Sequence, residues 1–333
     1  MTLLLLLTMV AFGLPVEPAR AEAIITHAGM QLGINAEGDL NVSGGTPSES
    51  GSTVVGFRAG ATESIASDGW GVAIAGTGIT GYASVGNDGG PHNLSVVSFA
   101  SDAASAVSVV NVIDPGSGLA VLRVTHDYHP YAAPPWWDGG AFETTINVAN
   151  VSGAATAGNV LYRRVIDWNV EPTGSPEYVT LVAGTTPSNV AFTSDDGFET
   201  ANPLVNHMND LGGCGFAGFF ECGAPDHGTL FDLSFAPLDP GEALTFHAYY
   251  FVIAGQPRFH LSDLGAEVWT FSHAGPGYVC APGDGLCDFG IDGTNFVFAL
   301  NGVGAIPLVA EPATVALMAA GLLCLGASLR QRH

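Results

Sequence analysis

The chain has 333 residues, of which 31 are acidic and 8 are basic, giving a formal net charge of −23 at pH 7. A chain this acidic lacks the cations that neutralise phosphates, which excludes general nucleic-acid binding. Hydrophobic residues make up 47% of the chain, so it has enough apolar side chains for a core and is not disordered by composition.

The first predicted element is a signal peptide over residues 1–21. Residues 3–14 form an apolar run that is shorter than the ~20 residues needed to span a bilayer. The run leads to Ala19-Arg20-Ala21, a small-x-small site of the kind that signal peptidase cuts, and Ala21-Glu22-Ala23 is a second candidate. We therefore expect an exported body over residues 22–305.

The body has the apolar alternation of β-strands and no long stretch with helical periodicity. This pattern predicts an all-β fold, either one large antiparallel β-sandwich or two packed sandwiches. Two turns, Asn150-Val151-Ser152-Gly153 and Leu238-Asp239-Pro240-Gly241-Glu242, resemble those of bacterial extracellular β-sandwich modules in general, which implies fold and not activity. The clearest strand predictions cover residues 106–113, 120–125, 144–148, 160–168, 230–235 and 244–252.

A dense cluster of aromatic and polar residues follows the strand predicted at 120–125. Aromatic rings beside carboxylates suit a carbohydrate site, because a ring stacks on the C–H face of a sugar while a carboxylate accepts hydroxyl protons. The alternative is a loop that covers the end of the sandwich and buries its tryptophans. A metal site using His126 and His129 requires the strand to end between them, since residues i and i+3 point to opposite faces. The candidate glycan contacts are His126, Tyr128, Trp136 and Trp137.

Four carboxylates in and after this cluster are candidates for catalysis, because glycoside hydrolysis uses a pair of them. They are Asp127, Asp138, Asp167 and Glu171. The neighbouring Arg163 and Arg164 are expected to be structural ion-pair partners across strands. The sequence has no P-loop, GxSxG or HExxH motif, so a nucleophile or metal-hydrolase site is not indicated.

The four cysteines of the body form two local pairs in glycine-rich loops. In an oxidising compartment this spacing predicts the disulfides Cys214–Cys222 and Cys280–Cys287, although three connectivities are open. Carboxylates in and after the second loop are candidate ligands of a structural calcium ion, but their spacing matches neither the EF-hand nor the β-roll repeat. These candidates are Asp284, Asp288 and Asp292, and we expect no other cofactor.

The last 28 residues, 306–333, have a tripartite pattern. The pair Glu311-Pro312 precedes an uncharged stretch at residues 313–329, which predicts a transmembrane helix, and Arg330 and Arg332 follow it on the cytoplasmic side. The pattern resembles the PEP-CTERM sorting signal, with Ala310 at the position of the family's first proline. The resemblance implies insertion in the inner membrane of a bacterium that makes exopolysaccharide, followed by cleavage by an exosortase. An ordinary C-terminal anchor is the alternative.

Together these patterns predict an exported protein of the cell surface or extracellular matrix. The leading hypothesis is a non-catalytic structural or adhesive β-sandwich associated with exopolysaccharide. The alternative is a secreted carbohydrate-active enzyme on the same scaffold. The expected partners are the export machinery, the exosortase, the inner membrane before processing, and an exopolysaccharide or surface glycan.

Overall fold

The computed structural model describes residues 21–132, 140–171, 178–183, 189–207, 219–222, 226–254, 259–260, 267–273, 279–280, 286–288 and 294–303. These residues form an all-β fold with one short helix, α1 (Val85–Asp88). The first strands are β1 (Glu22–His27), β2 (Met30–Asn35), β3 (Val42–Ser43), β4 (Val54–Val55), β5 (Phe57–Ala59), β6 (Thr62–Ile74), β7 (Thr80–Ser84), β8 (Gly90–His92), β9 (Leu94–Ser101), β10 (Ala106–Ile113), β11 (Ala120–Pro130) and β12 (Ala141–Asn150). The others are β13 (Val160–Trp168), β14 (Tyr178–Ala183), β15 (Val190–Ser194), β16 (Phe219–Cys222), β17 (Gly228–Phe235), β18 (Ala243–Ala254), β19 (Phe259–His260), β20 (Val268–His273), β21 (Val279–Cys280), β22 (Leu286–Asp288) and β23 (Thr294–Asn301).

Most of these strands belong to two nine-stranded antiparallel sheets. The first sheet has the order β1-β2-β5-β6-β13-β17-β15, with β7 pairing to β6 and β8 to β7. The second sheet has the order β16-β14-β20-β23-β18-β12-β11-β10-β9. In this sheet β9, β10, β11 and β12 pair with one another in chain order. Strand β18 then pairs with β12, and β23 pairs with β18.

The two sheets pack face to face around one hydrophobic core. Successive side chains of a β-strand point to opposite sides, so every second side chain of β10 points toward the other sheet. The residues of β10 accordingly alternate strictly between buried and half-buried positions. Phe57 of the first sheet contacts Phe296 of the second with ring centroids 5.8 Å apart, and Phe231 meets Phe298 at the same distance. The described part of the body is therefore a β-sandwich with a core shared by both sheets.

The strand predictions are confirmed for all six runs, which correspond to β10, β11, β12, β13, β17 and β18. The structure extends β11 through Pro130 and begins β12 at Ala141, so the cluster at residues 126–130 lies on a strand. Within the described residues, no helix is long and apolar enough to cross a membrane. The helix predicted at residues 313–329 lies outside the described residues, as does the predicted signal peptide apart from residue 21.

The two arginines of β13 are ion-paired on opposite sides of the first sheet, as predicted. Arg163 lies directly opposite Asp232 of β17, with its Nε 2.7 Å from the Asp232 Oδ1. Arg163 also donates to the carbonyls of Thr200 and Val205, which holds residues 195–207 against the outer side of the sheet. Arg164 points into the core, where its Nε lies 2.5 Å from the Asp68 Oδ1.

Candidate functional site

Strand alternation divides the predicted aromatic cluster between the two sides of β11. His126 and Tyr128 point into the sandwich and are fully buried. The next residues, Asp127 and His129, point outward, and their side chains are 47% and 36% exposed. The interpretation of His126 and Tyr128 as surface glycan contacts is therefore wrong, because the strand continues past them and directs both inward. For the same reason His126 and His129 lie on opposite faces and do not share a metal ion.

The inward residues belong to a polar network inside the core. Its centre is the ion pair of Arg164 and Asp68, with the Arg164 Nη2 2.6 Å from the Asp68 Oδ2. The Tyr250 hydroxyl donates to the same carboxylate oxygen at 2.7 Å and also receives a hydrogen bond from Arg164. The His126 Nε2 lies 3.1 Å from the Tyr162 hydroxyl, and the hydroxyl of Tyr128 donates to the backbone carbonyl of Gly38. These contacts cross the core and join strands of both sheets.

Burial sets the protonation behaviour of this network. Burial raises the pKa of Asp68, and the adjacent Arg164 guanidinium opposes that shift. Burial lowers the pKa of His126 well below its ordinary value, and the charge of Arg164 lowers it further. His126 therefore stays neutral at physiological pH, so the network is built around one buried ion pair with neutral tyrosines and a neutral histidine.

The outward residues form the candidate functional site, centred on Glu143 of β12. Register places His129 of β11 and Tyr249 of β18 directly opposite Glu143 on its two neighbouring strands. The Nδ1 of His247 lies 2.7 Å from the Glu143 Oε1, and the Nε2 of His129 lies 3.4 Å from the Glu143 Oε2. A single carboxylate thus holds two imidazoles from two different strands.

Aromatic and polar groups extend this surface. Tyr131, which follows β11, packs edge-on against Tyr249 with ring centroids 5.2 Å apart. Next to the histidines, the Asn147 Nδ2 donates to the Thr245 Oγ1 at 2.9 Å, in the row of residues that includes Thr125. We call this surface the polar face and define it by Thr125, Asp127, His129, Tyr131, Glu143, Thr145, Asn147, Thr245 and His247.

Electrostatics keep the centre of the polar face ionised. The hydrogen bond from His247 is the main cause that lowers the pKa of Glu143, and His129 adds to the effect. The side chains of His129 and His247 are 36% and 34% exposed, so solvent and ligands can reach both. The arrangement offers a fixed carboxylate, imidazole donors and acceptors, and a tyrosine ring on one side of the second sheet.

Two of the candidate catalytic carboxylates lie on the first sheet or beside it, in contrasting environments. The carboxylate of Glu171 is buried and accepts hydrogen bonds from the Ser48 hydroxyl and from the backbone N–H groups of Glu49, Ser50 and Glu63. Burial favours the protonated form of Glu171, but the hydrogen bonds from Ser50 and Ser48 outweigh it and lower the pKa to about 2. Glu171 therefore acts as an anchor for residues 48–50.

Asp167 has the opposite character. Burial raises its pKa to about 7, and the nearby carboxylates of Asp226 and Glu63 contribute to the increase. Burial likewise raises the pKa of Glu63 to about 7, against the attraction of Arg58. Asp127, in contrast, lies on the outer side of the second sheet, so the structure separates it from Asp167 and Glu171. Asp138 lies outside the described residues, together with Trp136 and Trp137.

No known protein-family model matches this chain. No curated protein matches its sequence.

The other predicted sites fall mostly outside the described residues. Only backbone is described for the strands that hold Cys222, Cys280, Cys287 and Asp288, and there Cys280 lies directly opposite Cys287 in the pairing of β21 with β22. Among described side chains, no group of three or more His, Cys, Asp or Glu residues is placed to hold a metal ion. The disulfides, the calcium site and the sorting signal stay predictions. The residues that lie wholly outside the described part are Cys214, Asp284, Asp292, Glu311, Pro312, Arg330 and Arg332.

The central residue of the polar face was not among the sequence candidates. Glu143 and His247 are 104 positions apart in the numbering and meet only because β12 pairs with β18. Alternation along each strand predicts which residues share a side with Asp127, but not which strands are neighbours. The missing information was the order of strands in the second sheet.

Proposed function

We propose that this protein is exported to the cell surface or extracellular matrix, where it serves as a non-catalytic structural or adhesive β-sandwich that contacts exopolysaccharide. The signal-peptide pattern at residues 1–21 and the sorting pattern at residues 306–333 support export and processing. The all-β fold of the body is consistent with such a role but does not specify it.

The observation that carries the adhesive role is the polar face. Its imidazoles and carboxylate are held in place by one another before any ligand arrives, which reduces the entropy lost on binding. Carboxylate oxygens accept hydrogen bonds from sugar hydroxyls, the threonine and asparagine side chains both donate and accept, and the Tyr131 ring offers an apolar surface. The segment that carries Trp136 and Trp137 follows Tyr131 directly in the chain.

The positions of the candidate carboxylates favour binding over turnover. A glycosidase places two carboxyl groups roughly 5 to 9.5 Å apart with the sugar between them. Among the described candidates, Asp127 lies on the second sheet, whereas Asp167 and Glu171 lie on or beside β13 of the first. Four donors already occupy Glu171, which leaves it with a structural role.

One observation favours the alternative, a secreted carbohydrate-active enzyme. Asp167 is partly accessible and has a pKa of about 7, the range in which a carboxylic acid donates a proton efficiently at neutral pH. On this alternative, Asp167 acts as the general acid, with Glu63 or Asp226 as its partner carboxylate.

Export and processing are tested by mass spectrometry of the protein recovered from membranes and culture medium of its native host. We expect a product that starts at Glu22 or Ile24 and ends near Pro312. A chain that keeps Arg332 in every fraction contradicts exosortase processing and leaves an ordinary anchor.

The adhesive role is tested by co-sedimentation of the recovered protein with the host's own purified exopolysaccharide. We expect His129→Ala and Tyr131→Ala each to reduce binding by about tenfold, since each removes one directed contact of roughly 1.4 kcal/mol. His92→Ala is the matched control, because His92 stacks on Tyr82 of the first sheet, away from the polar face. New reducing ends that disappear in Asp167→Asn would instead establish the enzyme.

A further inference from the structure

Strand β9 is the exposed edge of the second sheet. Within the described residues, its only hydrogen-bonded neighbour is β10, and the sheet ends at β9. Val96 and Val97, in the middle of the strand, are 42% and 47% exposed. Val96 faces the same side as the buried Val110 of β10, so its exposure means that the first sheet does not cover this part of β9.

The edge lacks most of the features that keep sheet edges apart. Natural edge strands are protected by charges, prolines, short length, β-bulges or a covering segment, and β9 has one of these, a bulge at Val97. Strand β9 has eight residues, Leu-Ser-Val-Val-Ser-Phe-Ala-Ser, with no charge and no proline. In a chain of net charge −23, it is a stretch where two copies can approach without bringing acidic side chains together.

A β-bulge at Val97 makes the strand symmetric in the way its side chains face. The register with β10 shifts at this point, so Val97 has no direct partner while Val96 and Ser98 do. Leu94, Val96, Phe99 and Ser101 lie opposite buried residues of β10, whereas Ser95, Ser98 and Ala100 lie opposite half-buried ones. The first three residues of β9 therefore face inward, outward and inward, and so do its last three residues when they are taken in reverse order. Val97 and Ser98 lie at the centre.

We propose that two copies of this chain associate by antiparallel pairing of β9 with β9 about a two-fold axis between Val97 and Ser98. Directly paired residues in a sheet face the same side, and a two-fold axis perpendicular to the sheet requires this of every pair. The register with β10 satisfies the requirement for the three kinds of pair on either side of the centre. The pairs are Leu94 with Ser101, Ser95 with Ala100, Val96 with Phe99, and Val97 with Ser98, each occurring twice.

This association forms a closed dimer. Both copies use the same strand, so no β9 edge is left for a third copy. Just beyond the strand, the N–H of Thr26 in β1 donates to the carbonyl of Ala103, which limits the free edge to β9 itself. The two second sheets become one continuous sheet, and the two-fold axis places both polar faces on the same side. Two faces on one surface increase avidity for a repetitive polymer.

The proposal is tested by sedimentation velocity of the protein recovered from its native host, over a wide range of concentration. We expect a reversible monomer–dimer equilibrium. Val96→Lys should raise the dimer dissociation constant by about tenfold, because a lysine then faces Phe99 of the partner in both pairs. Leu119→Lys is the matched control, since Leu119 is 68% exposed in a turn outside the edge, and it should leave the equilibrium unchanged.

Mixing experiments test the register. Val96→Lys and Phe99→Glu should each weaken the homodimer, and their mixture should restore association because the introduced lysine then faces the introduced glutamate. A mixture of Val96→Lys with Val96→Glu should not restore it, since these positions are not paired. The proposal is overturned if the unaltered chain is monomeric at all concentrations, if it forms species larger than a dimer, or if Val96→Lys and Leu119→Lys behave alike. Capture of a strand from another protein, with the chain itself monomeric, is among the outcomes that overturn it.

Discussion

The two sides of strand β11 carry similar residue types in opposite circumstances. On the inner side, His126 and Tyr128 are fully buried and belong to the network around Arg164 and Asp68. On the outer side, Asp127 and His129 reach solvent and adjoin Glu143. Residues that are neighbours in sequence thus hold the two sheets together on one side of β11 and form a surface available to a ligand on the other side.

The difference lies in what each polar group loses when a partner is removed. An inner group has no water to replace a missing partner, so it stays buried without a hydrogen bond and the folded state is destabilised by the full cost of its desolvation. An outer group exchanges its partner for water at little cost. Substitutions on the inner side should therefore reduce stability, and those on the outer side should reduce binding. Arg164→Met and Glu143→Gln test this distinction directly, and Glu171→Gln and Asp167→Asn extend it to carboxylates of the first sheet. The four follow in order of decreasing effect on stability.

The largest effect is expected for Arg164→Met. The change leaves the Asp68 carboxylate buried without its counter-ion, which we expect to lower the free energy of unfolding by about 3–5 kcal/mol. Denaturant unfolding at neutral pH measures it. Arg123→Met is the outer-side control, because Arg123 is exposed and its Nε donates to Asn111 on the neighbouring strand, and its effect should stay under about 1 kcal/mol.

The double variant Asp68→Leu with Arg164→Met sharpens the same test. Removing both charges eliminates the uncompensated carboxylate, so the double variant should be more stable than Arg164→Met alone. If the two are equally unstable, the loss comes from packing of the guanidinium and not from the buried charge.

The second effect is expected for Glu171→Gln. The amide nitrogen replaces one of the two acceptor oxygens by a donor, which then faces either the N–H of Ser50 or the N–H groups of Glu49 and Glu63. We expect a loss of about 1–3 kcal/mol. The folded-state pKa of about 2 lies below the unfolded value of ~4.3, so this stabilisation is present above that value and is lost as the pH falls toward 2. Unfolding midpoints at neutral and acidic pH should differ less in the variant than in the unaltered chain.

The sequence allowed the strands to be predicted, but not their neighbours. The patterns in residues 106–113 and 160–168 predicted β10 and β13, because strand periodicity depends only on the local sequence. The contact of Glu143 with His247 depends on the pairing of β12 with β18, which no local pattern encodes. The prediction for His126 was wrong because it ended the strand at residue 125. Strand β11 in fact continues past His126, and its alternation directs that side chain inward.

The third effect has the opposite sign. Asp167 has a folded-state pKa of about 7, above the unfolded value of ~3.9, so its contribution to stability is greatest at low pH and is lost as the pH rises through 7. Asp167→Asn removes the unfavourable ionised form and should stabilise the protein by on the order of 1 kcal/mol above neutral pH, with little change near pH 4. A variant that is less stable at both pH values would show that Asp167 is ionised and paired in the fold.

The smallest effect on stability is expected for Glu143→Gln, although it alters the centre of the polar face. The carboxylate and its two histidines are partly exposed, so losing their attraction should change the free energy of unfolding by about 0.5 kcal/mol or less. Binding to the host's exopolysaccharide should nevertheless fall by about tenfold, because His129 and His247 lose the group that orients both. Glu242→Gln is a matched control, since Glu242 lies in the turn before β18 and its side chain accepts a hydrogen bond from the nearby N–H of Asp239. A large loss of stability in Glu143→Gln, with binding unchanged per folded molecule, would show that Glu143 stabilises the fold and does not support binding. The distinction between the two sides of β11 would then be wrong.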